Sequence, residues 1–330
     1  MLVYIARRLL LMIPTLAIIS MISFWIINLP PGNYVDSFMA QMAGQGQIPD
    51  FDTRQQLEQL YGVNRPLYVQ YWKWISRALT GDFGQSFEWR RPVSDLIGDR
   101  LGRTIAISLA STAFIYLVAI PFGIFSALRQ HSIWDYLLTF IGFIGLSIPN
   151  FSLALILLYI GFEYFGLSVG GFFSPEYESA PWSTAKLLDF LGHIWVPIVV
   201  IGLAGTAGLI RVTRANLLDE MGKQYVVAAR ARGLPRSKLL WKYPVRVAMN
   251  PVISSAAFIL PAVVSGATIT SIVLNLPTTG PVYLRALMSQ DMYVAGAFIL
   301  LLSSLTVIGT LLSDVLLAWA DPRIRFGGRK

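Results

Sequence analysis

RANLLDEMGKQYVVAARARGLPRSKLLWKYPVRVAMNP, residues 214–251, is a basic segment between two long apolar runs, and its reading decides that of the whole chain. The stretch from Tyr225 to Arg232 carries the helix formers Ala228, Ala229 and Ala231, and Gly233 stands where a left-handed C-terminal residue belongs. Leu234 and Pro235 then turn the chain. Pro235 suits the first turn of a second helix, because its missing N–H would be unpaired there, and that helix runs through Ser237, Leu239 and Leu240 until Pro244 limits it. Small residues on an exposed helix let another protein approach closely, so Tyr225–Pro235 reads as a docking knob. A basic loop that only satisfies the positive-inside rule at a lipid surface has the same composition.

The 330 residues are 55% hydrophobic and 13% charged, with net charge +8 and mean hydropathy +0.59. Soluble domains average about 25% charged residues, so the composition is that of a membrane protein. The absence of cysteine excludes thiol catalysis, iron–sulfur clusters, disulfides and cysteine-bound zinc. Histidine occurs only at His131 and His193, too few for a histidine-based metal or catalytic site. The positive charge is placed for the cytoplasmic face of a membrane rather than for nucleic acid.

Six runs, residues 9–35, 104–128, 136–162, 190–210, 247–284 and 292–313, contain no Asp, Glu, Lys or Arg, and each is at least 21 residues long. A helix needs about 20 residues to cross about 30 Å of hydrocarbon. The expected architecture is therefore all-α and polytopic, with six transmembrane helices; Pro277 is expected to end the fifth. The first run follows Arg7 and Arg8, exceeds a signal peptide's apolar region and lacks a small-residue cleavage site before Pro30 and Pro31, so it reads as an uncleaved anchor. Residues 163–189 carry four acids against Lys186, whereas residues 211–246 carry nine Lys or Arg against two acids. With Arg129 and the terminal Arg323, Arg325, Arg329 and Lys330, this bias puts both termini and the basic loop in the cytoplasm. The organisation is then a cytoplasmic N-terminus and first span (1–29), a long external segment (30–103), and a five-span core (104–330) holding the loop 214–250 between spans four and five.

Within the external segment Tyr68, Tyr71, Trp72, Ile75 and Leu79 recur at helical spacing, as in an interfacial helix or a platform for a soluble partner. Irregular backbone at membrane depth is tolerated where protein or water satisfies it, which directs attention to Pro149 within the third run and Pro261 within the fifth. Gly202, Gly205 and Gly208 form a small-residue face on the fourth. Such breaks serve helix packing or line a pathway; Ser147, Pro149, Asn150, Ser265 and Thr268 are the pathway candidates, polar enough to hydrate a passing solute without trapping it. Asp314 is an acid near the inner end of the last run, a candidate for function or for pairing with a loop arginine.

No phosphate loop, dinucleotide fingerprint, H-E-x-x-H or G-x-S-x-G occurs, and no catalytic residue or metal site is identified. Three classes remain: a channel-forming subunit driven by a separate ATPase, an ion-coupled secondary transporter, and a membrane-embedded enzyme or assembly factor. The second should show inverted repeats and several buried ionisable groups, and the third a catalytic pair.

Tyr225-Val226 followed by Ala229-Arg230-Ala231-Arg232-Gly233, with Asn250-Pro251 beyond, resembles the cytoplasmic coupling loop of permease subunits of binding-protein-dependent ABC importers, in the dipeptide/oligopeptide/nickel branch. Arg232 stands where that branch has lysine. Arg7-Arg8 through Ile13-Pro14, Arg65-Pro66, Tyr71, Gly81 to Ser86 and Asp321-Pro322-Arg323 extend the likeness over nearly the whole chain, least over residues 163–195, which look like an insertion. The resemblance implies a non-enzymatic permease of a bacterial or archaeal cytoplasmic (inner) membrane. It implies as partners a second homologous permease, two ATPase subunits that hold ATP and Mg, an external substrate-binding protein and membrane lipid, with no cofactor in this chain. Its substrates would be peptides or similar small polar solutes, with oligosaccharides the alternative. Where the branch has a glutamate, a phenylalanine and a tryptophan before Pro-Gly, this chain has Ser271, Leu274, Leu276 and Pro277-Thr278, which leaves the external gate and substrate class open.

Overall fold

The computed structural model describes residues 2–29, 32, 34–45, 51–61, 64–166 and 170–320; Pro30, Pro31, the Asp321-Pro322-Arg323 ending and the basic terminal residues of the expected cytoplasmic tail lie outside them. The described residues form helices α1 Leu2–Ile27, α2 Tyr34–Gly44, α3 Phe51–Tyr61, α4 Leu67–Ala78, α5 Val93–Leu128, α6 Ile133–Ser147, α7 Asn150–Phe165, α8 Thr184–Met221, α9 Gln224–Ala231, α10 Arg236–Lys242, α11 Pro244–Val273, α12 Thr279–Met288 and α13 Met292–Ala320. Among them there is no strand, only an isolated bridge between Gln85 and Pro92.

Among the described residues, four helices are long and apolar enough to cross a membrane: the stretches Arg8–Ile27, Val93–Leu128, Thr184–Met221 and Met292–Leu317. The third charge-free run folds as two helices, α6 and α7, which meet at 99° across Ile148 and Pro149 and count as a fifth span if taken together. Pro149 forces this break, since the residue before a proline is driven to extended backbone, and Ile148 sits at ψ 118°. In α11 the helix stops at Val273, before Pro277, where Asn275 adopts φ +51° and the Leu276 N–H turns back to the Ser271 carbonyl at 2.7 Å.

The chain divides into two compact units. In the first, whose described residues are 2–5, 105–166, 170–277 and 308–320, α8 is the central element and packs against α6, α7 and α11. Its core gathers Ile115, Ala119, Val196, Val200, Val252 and Leu274, each at most 1% exposed. The small face on α8 is partly explained by packing: a Cβ on Gly202 would stand 2.8 Å from Phe114 and one on Gly205 2.7 Å from Ile115, whereas Gly208 faces open space. The outward sides of α6 and α7 stay apolar and exposed, with Phe140, Tyr159 and Phe162 more than 60% accessible, the pattern of a lipid-facing surface.

The second unit, Ala6–Thr104 with Thr278–Val307, has an aromatic core in which Phe24, Tyr34, Trp74, Phe87 and Met292 meet. The buried face of α4 is carried by Trp74 and Gln70, with Tyr71 and Ile75 beside them, while Tyr68, Trp72 and Leu79 remain at least 71% exposed. The stripe expected from spacing alone thus splits between two faces. Next in the chain, Gly81 to Ser86 fold into a knot. The Asp82 carboxylate accepts the Gly84 N–H at 2.8 Å and the Arg77 guanidinium at 2.7 Å, donors that hold it below the usual carboxylate range. Ser86 donates to the fully buried Asp291 at 2.6 Å, and the Glu88 N–H adds a bond of 3.1 Å. Burial pushes the Asp291 carboxyl upward against these donors.

Candidate docking site and membrane pathway

The segment that opened the sequence folds as a helical hairpin. Lys223 precedes α9, and the Gly233 N–H donates to the Arg230 carbonyl at 3.0 Å with φ +75° at Gly233, the left-handed turn expected of that glycine. Pro235 stands just ahead of α10, and its carbonyl accepts the Leu239 N–H at 2.9 Å. Pro244 begins α11 rather than merely limiting α10.

The two short helices close on each other through Val226, Ala229 and Leu239, with Leu234 and Tyr243 at the edge. This corrects the expectation for Ala229, which is 6% exposed and packs inward, because positions three apart share one face of a helix and Val226 points the same way. Tyr225, Val227, Ala228, Arg230, Ala231, Arg232, Gly233 and Pro235 are exposed, and Leu234 is half-buried. The face on offer is therefore small and cationic, with an apolar centre. Tyr225 donates a very short hydrogen bond to Glu220, and burial together with that carboxylate raises its phenol pKa.

The pathway candidates lie on three helices and the elbow between two of them. Ser147 ends α6, Pro149 and Asn150 form the elbow into α7, and Ser265 and Thr268 lie on α11. Ser147 and Pro149 are exposed and Asn150 and Thr268 half-buried, while the Ser147 and Ser265 hydroxyls bond back to the Phe143 and Ala262 carbonyls at 2.7 and 3.3 Å. Asp314 is half-buried in α13; its neighbour Ser313 reaches α11, donating to the Ile253 carbonyl at 3.2 Å.

A family model described as the binding-protein-dependent transport system inner membrane component matches residues 119–326, and a companion model for the N-terminal part of such components matches residues 1–110. The chain belongs to this permease family. It is thus a multi-pass inner-membrane permease. Over 324 residues, 98% of this chain and 99% of the relative, the permease is 35% identical to the oligopeptide transport system permease protein AppB of Bacillus subtilis (strain 168). It is 32% identical over 362 aligned residues to the inner membrane ABC transporter permease protein YejB of Escherichia coli O157:H7, with 99% of each covered. The solved MetNI methionine ABC transporter, in inward facing conformations, shares the fold: TM-score 0.50, 16% identity, 68% of this chain and 96% of that one.

The residues that depart from the branch pattern have a local explanation. In the permease Leu274 and Leu276 are 0% and 2% exposed, and they share the first unit's core with Phe172, from the segment that resembled an insertion. The Gly171 N–H caps the Leu274 carbonyl at 2.7 Å. That segment is held to α8 in turn: the Lys186 ammonium donates to the Ala180 carbonyl at 2.6 Å and lies 4.6 Å from the Phe173 ring centre, and Asp189 accepts from the Ser174 hydroxyl at 2.6 Å. The end of α11 and the segment Gly170–Asp189 form one packed cap.

One charged group in this unit was missed from sequence. Asp135, 3% exposed near the start of α6, receives Arg214 in a two-pronged ion pair with both bonds at 2.8 Å, together with the Ser126 hydroxyl and the His131 N–H at 3.0 Å. The one sequence cue is Ser132-Ile-Trp-Asp135, the spacing of a capping box before an apolar run. It announces the helix start; the arginine 79 positions away is invisible to it.

Proposed function

We propose that this permease forms the membrane channel of an ATP-driven importer for peptides or similar small polar solutes, and that α9, the Gly233 turn and the start of α10 are where an ATPase subunit docks. The exposed face formed by Tyr225, Ala228, Arg230 and Arg232 beside the left-handed Gly233 turn carries the assignment of the site: a helix too short to be stable alone is held out on two long helices, α8 and α11. The named relative that handles oligopeptides supports the substrate class. The full transporter would add a second homologous permease, two ATPases holding ATP and Mg, and an external binding protein. The chain would cross the membrane six times, with α11 crossing as well, and keep both termini in the cytoplasm.

Coupling is then a two-state problem. Closure of the ATPases moves the docked helices, and nucleotide shifts the equilibrium only through different affinity for the two arrangements. The six spans offer little fixed charge, so selection falls to the external binding protein, while Ser147, Asn150, Ser265 and Thr268 lower the barrier for a polar solute without choosing among solutes. The test is purification through a tag on this chain: two ATPase subunits and peptide-stimulated ATP hydrolysis are expected, and a chain that moves peptide without them refutes the assignment. Because the chain has no cysteine, single replacements report sidedness cleanly. Ser94→Cys and Ser179→Cys should react with an impermeant thiol reagent from outside sealed cells and Ser237→Cys only from inside; labelling of position 237 from outside would invert the topology.

A further inference from the structure

We propose that the Asp135–Arg214 pair is a mechanical latch: it makes α6 move with the basic end of α8 and so carries displacement of the docking helices to the elbow at Pro149. The inference rests on the docking role proposed above. Arg214 lies seven residues before the end of α8 at Met221, and only Gly222 and Lys223 separate α8 from α9. Tyr225 at the start of α9 also bonds Glu220 in the last turn of α8, so a displacement of α9 is passed to the stretch of α8 that holds Arg214.

The pair is built for fixed geometry rather than mere charge balance. The Asp135 carboxylate takes Arg214 Nε on one oxygen and Nη2 on the other, each at 2.8 Å, and this two-point fork fixes orientation as well as distance. The remaining capacity of both oxygens is used by Ser126, from the end of α5, and by the N–H of His131 in the turn before α6. One buried carboxylate thereby ties three segments of the same unit together.

From there α6 runs antiparallel to α8 in continuous register. The Arg211 guanidinium lies 5.0 Å from the Phe143 ring centre, and Gly145 sits so close to Leu203 that a Cβ would stand 3.0 Å from it. Packed helices held at several points shift as rigid pieces rather than bend. About 18 Å along α6 from Asp135, at 1.5 Å per residue, come Ser147 and the 99° elbow. The latch end of α6 is thus near the docking segment and its far end carries three of the five pathway candidates, so Asp135 and Arg214 act as positioning residues for transport.

The experiment uses the assembled transporter, isolated through a tag on this chain and placed in proteoliposomes, with Ser147→Cys as reporter. The rate of labelling by a maleimide is compared without nucleotide and after trapping with ATP, Mg and vanadate. In the otherwise unaltered chain the two rates should differ by about fivefold or more, the lower end of typical coupling. With Asp135→Asn added, the difference should fall to about twofold or less while the ATPases remain attached and hydrolyse ATP at the basal rate. Arg214→Lys keeps the charge but loses the fork, and should fall between; if Asp135→Asn does not assemble, this variant decides. A full nucleotide-dependent change in either assembled variant overturns the latch, as does the absence of any change with Ser147→Cys alone in a transporter that hydrolyses ATP. A preparation that retains no ATPase refutes the docking role instead, and the latch with it.

Discussion

The hairpin Gln224–Lys242 and the knot Gly81–Ser86 both contain glycines with left-handed backbone, and both lie in stretches whose sequence resembles the permease family, yet they are held by opposite means. The knot is tied by buried polar bonds to Asp291, and a Cβ on Gly84, already at φ +84°, would come within 2.9 Å of the Tyr293 ring. At Gly233, φ is +75° and nothing lies within 4 Å of where a Cβ would be. The first motif is complete in itself. The second leaves its surface empty. The left-handed backbone is the same in both places, but only at Gly84 does the chain's own packing also forbid a side chain.

The largest effect should follow from Asp291→Ala, which strands the Ser86 hydroxyl and the Glu88 N–H inside the second unit. A buried unsatisfied group costs about 1–3 kcal/mol, and with two of them we expect about 3 kcal/mol, seen as reduced thermal stability in detergent and less protein in the membrane. Full stability in this variant would show that the knot is not what holds the segment.

Paired alanine substitutions sharpen the contrast. Gly84→Ala meets both a disfavoured φ and the Tyr293 ring and should cost about 2–3 kcal/mol; Gly233→Ala meets only the φ and should cost about 1 kcal/mol. Thermal unfolding of the two variants in the same detergent measures the difference, and equal losses would erase the distinction. Gly233→Val raises the local strain to about 1–2 kcal/mol and should abolish peptide-stimulated ATP hydrolysis with normal insertion, because it displaces the turn.

What was legible in the sequence follows the same division. Charge-free runs gave the long helices, since hydrocarbon excludes unpaired charge, and Gly233 with Pro235 gave the hairpin from local chemistry alone. The bend at Pro149 was visible as a position, its 99° size was not. The inward face of Ala229 was not legible because α9 spans only eight residues, with Val226 and Val227 adjacent and alanines on both sides, which leaves no contrast between its faces. That Trp74 and Gln70 take the buried side of α4 was not legible, because aromatic residues occupy both sides of that helix and leave spacing without a preferred face. Asp135 was hidden for another reason: its partner is 79 residues distant, and pairings of that range are set by how helices pack rather than by any local pattern.

The smallest structural change gives the most direct test. Ala228 is exposed on α9 and Ala229, its neighbour, is buried. Ala228→Glu should alter stability by no more than about 0.5 kcal/mol, as surface changes do, while placing bulk and negative charge on the cationic face. The measurement is the amount of ATPase retained when the tagged permease is purified from membranes containing normal amounts of it. The docking role predicts that Ala228→Glu loses the ATPase with the permease itself intact; ATPase retention equal to that of the unaltered chain would contradict it.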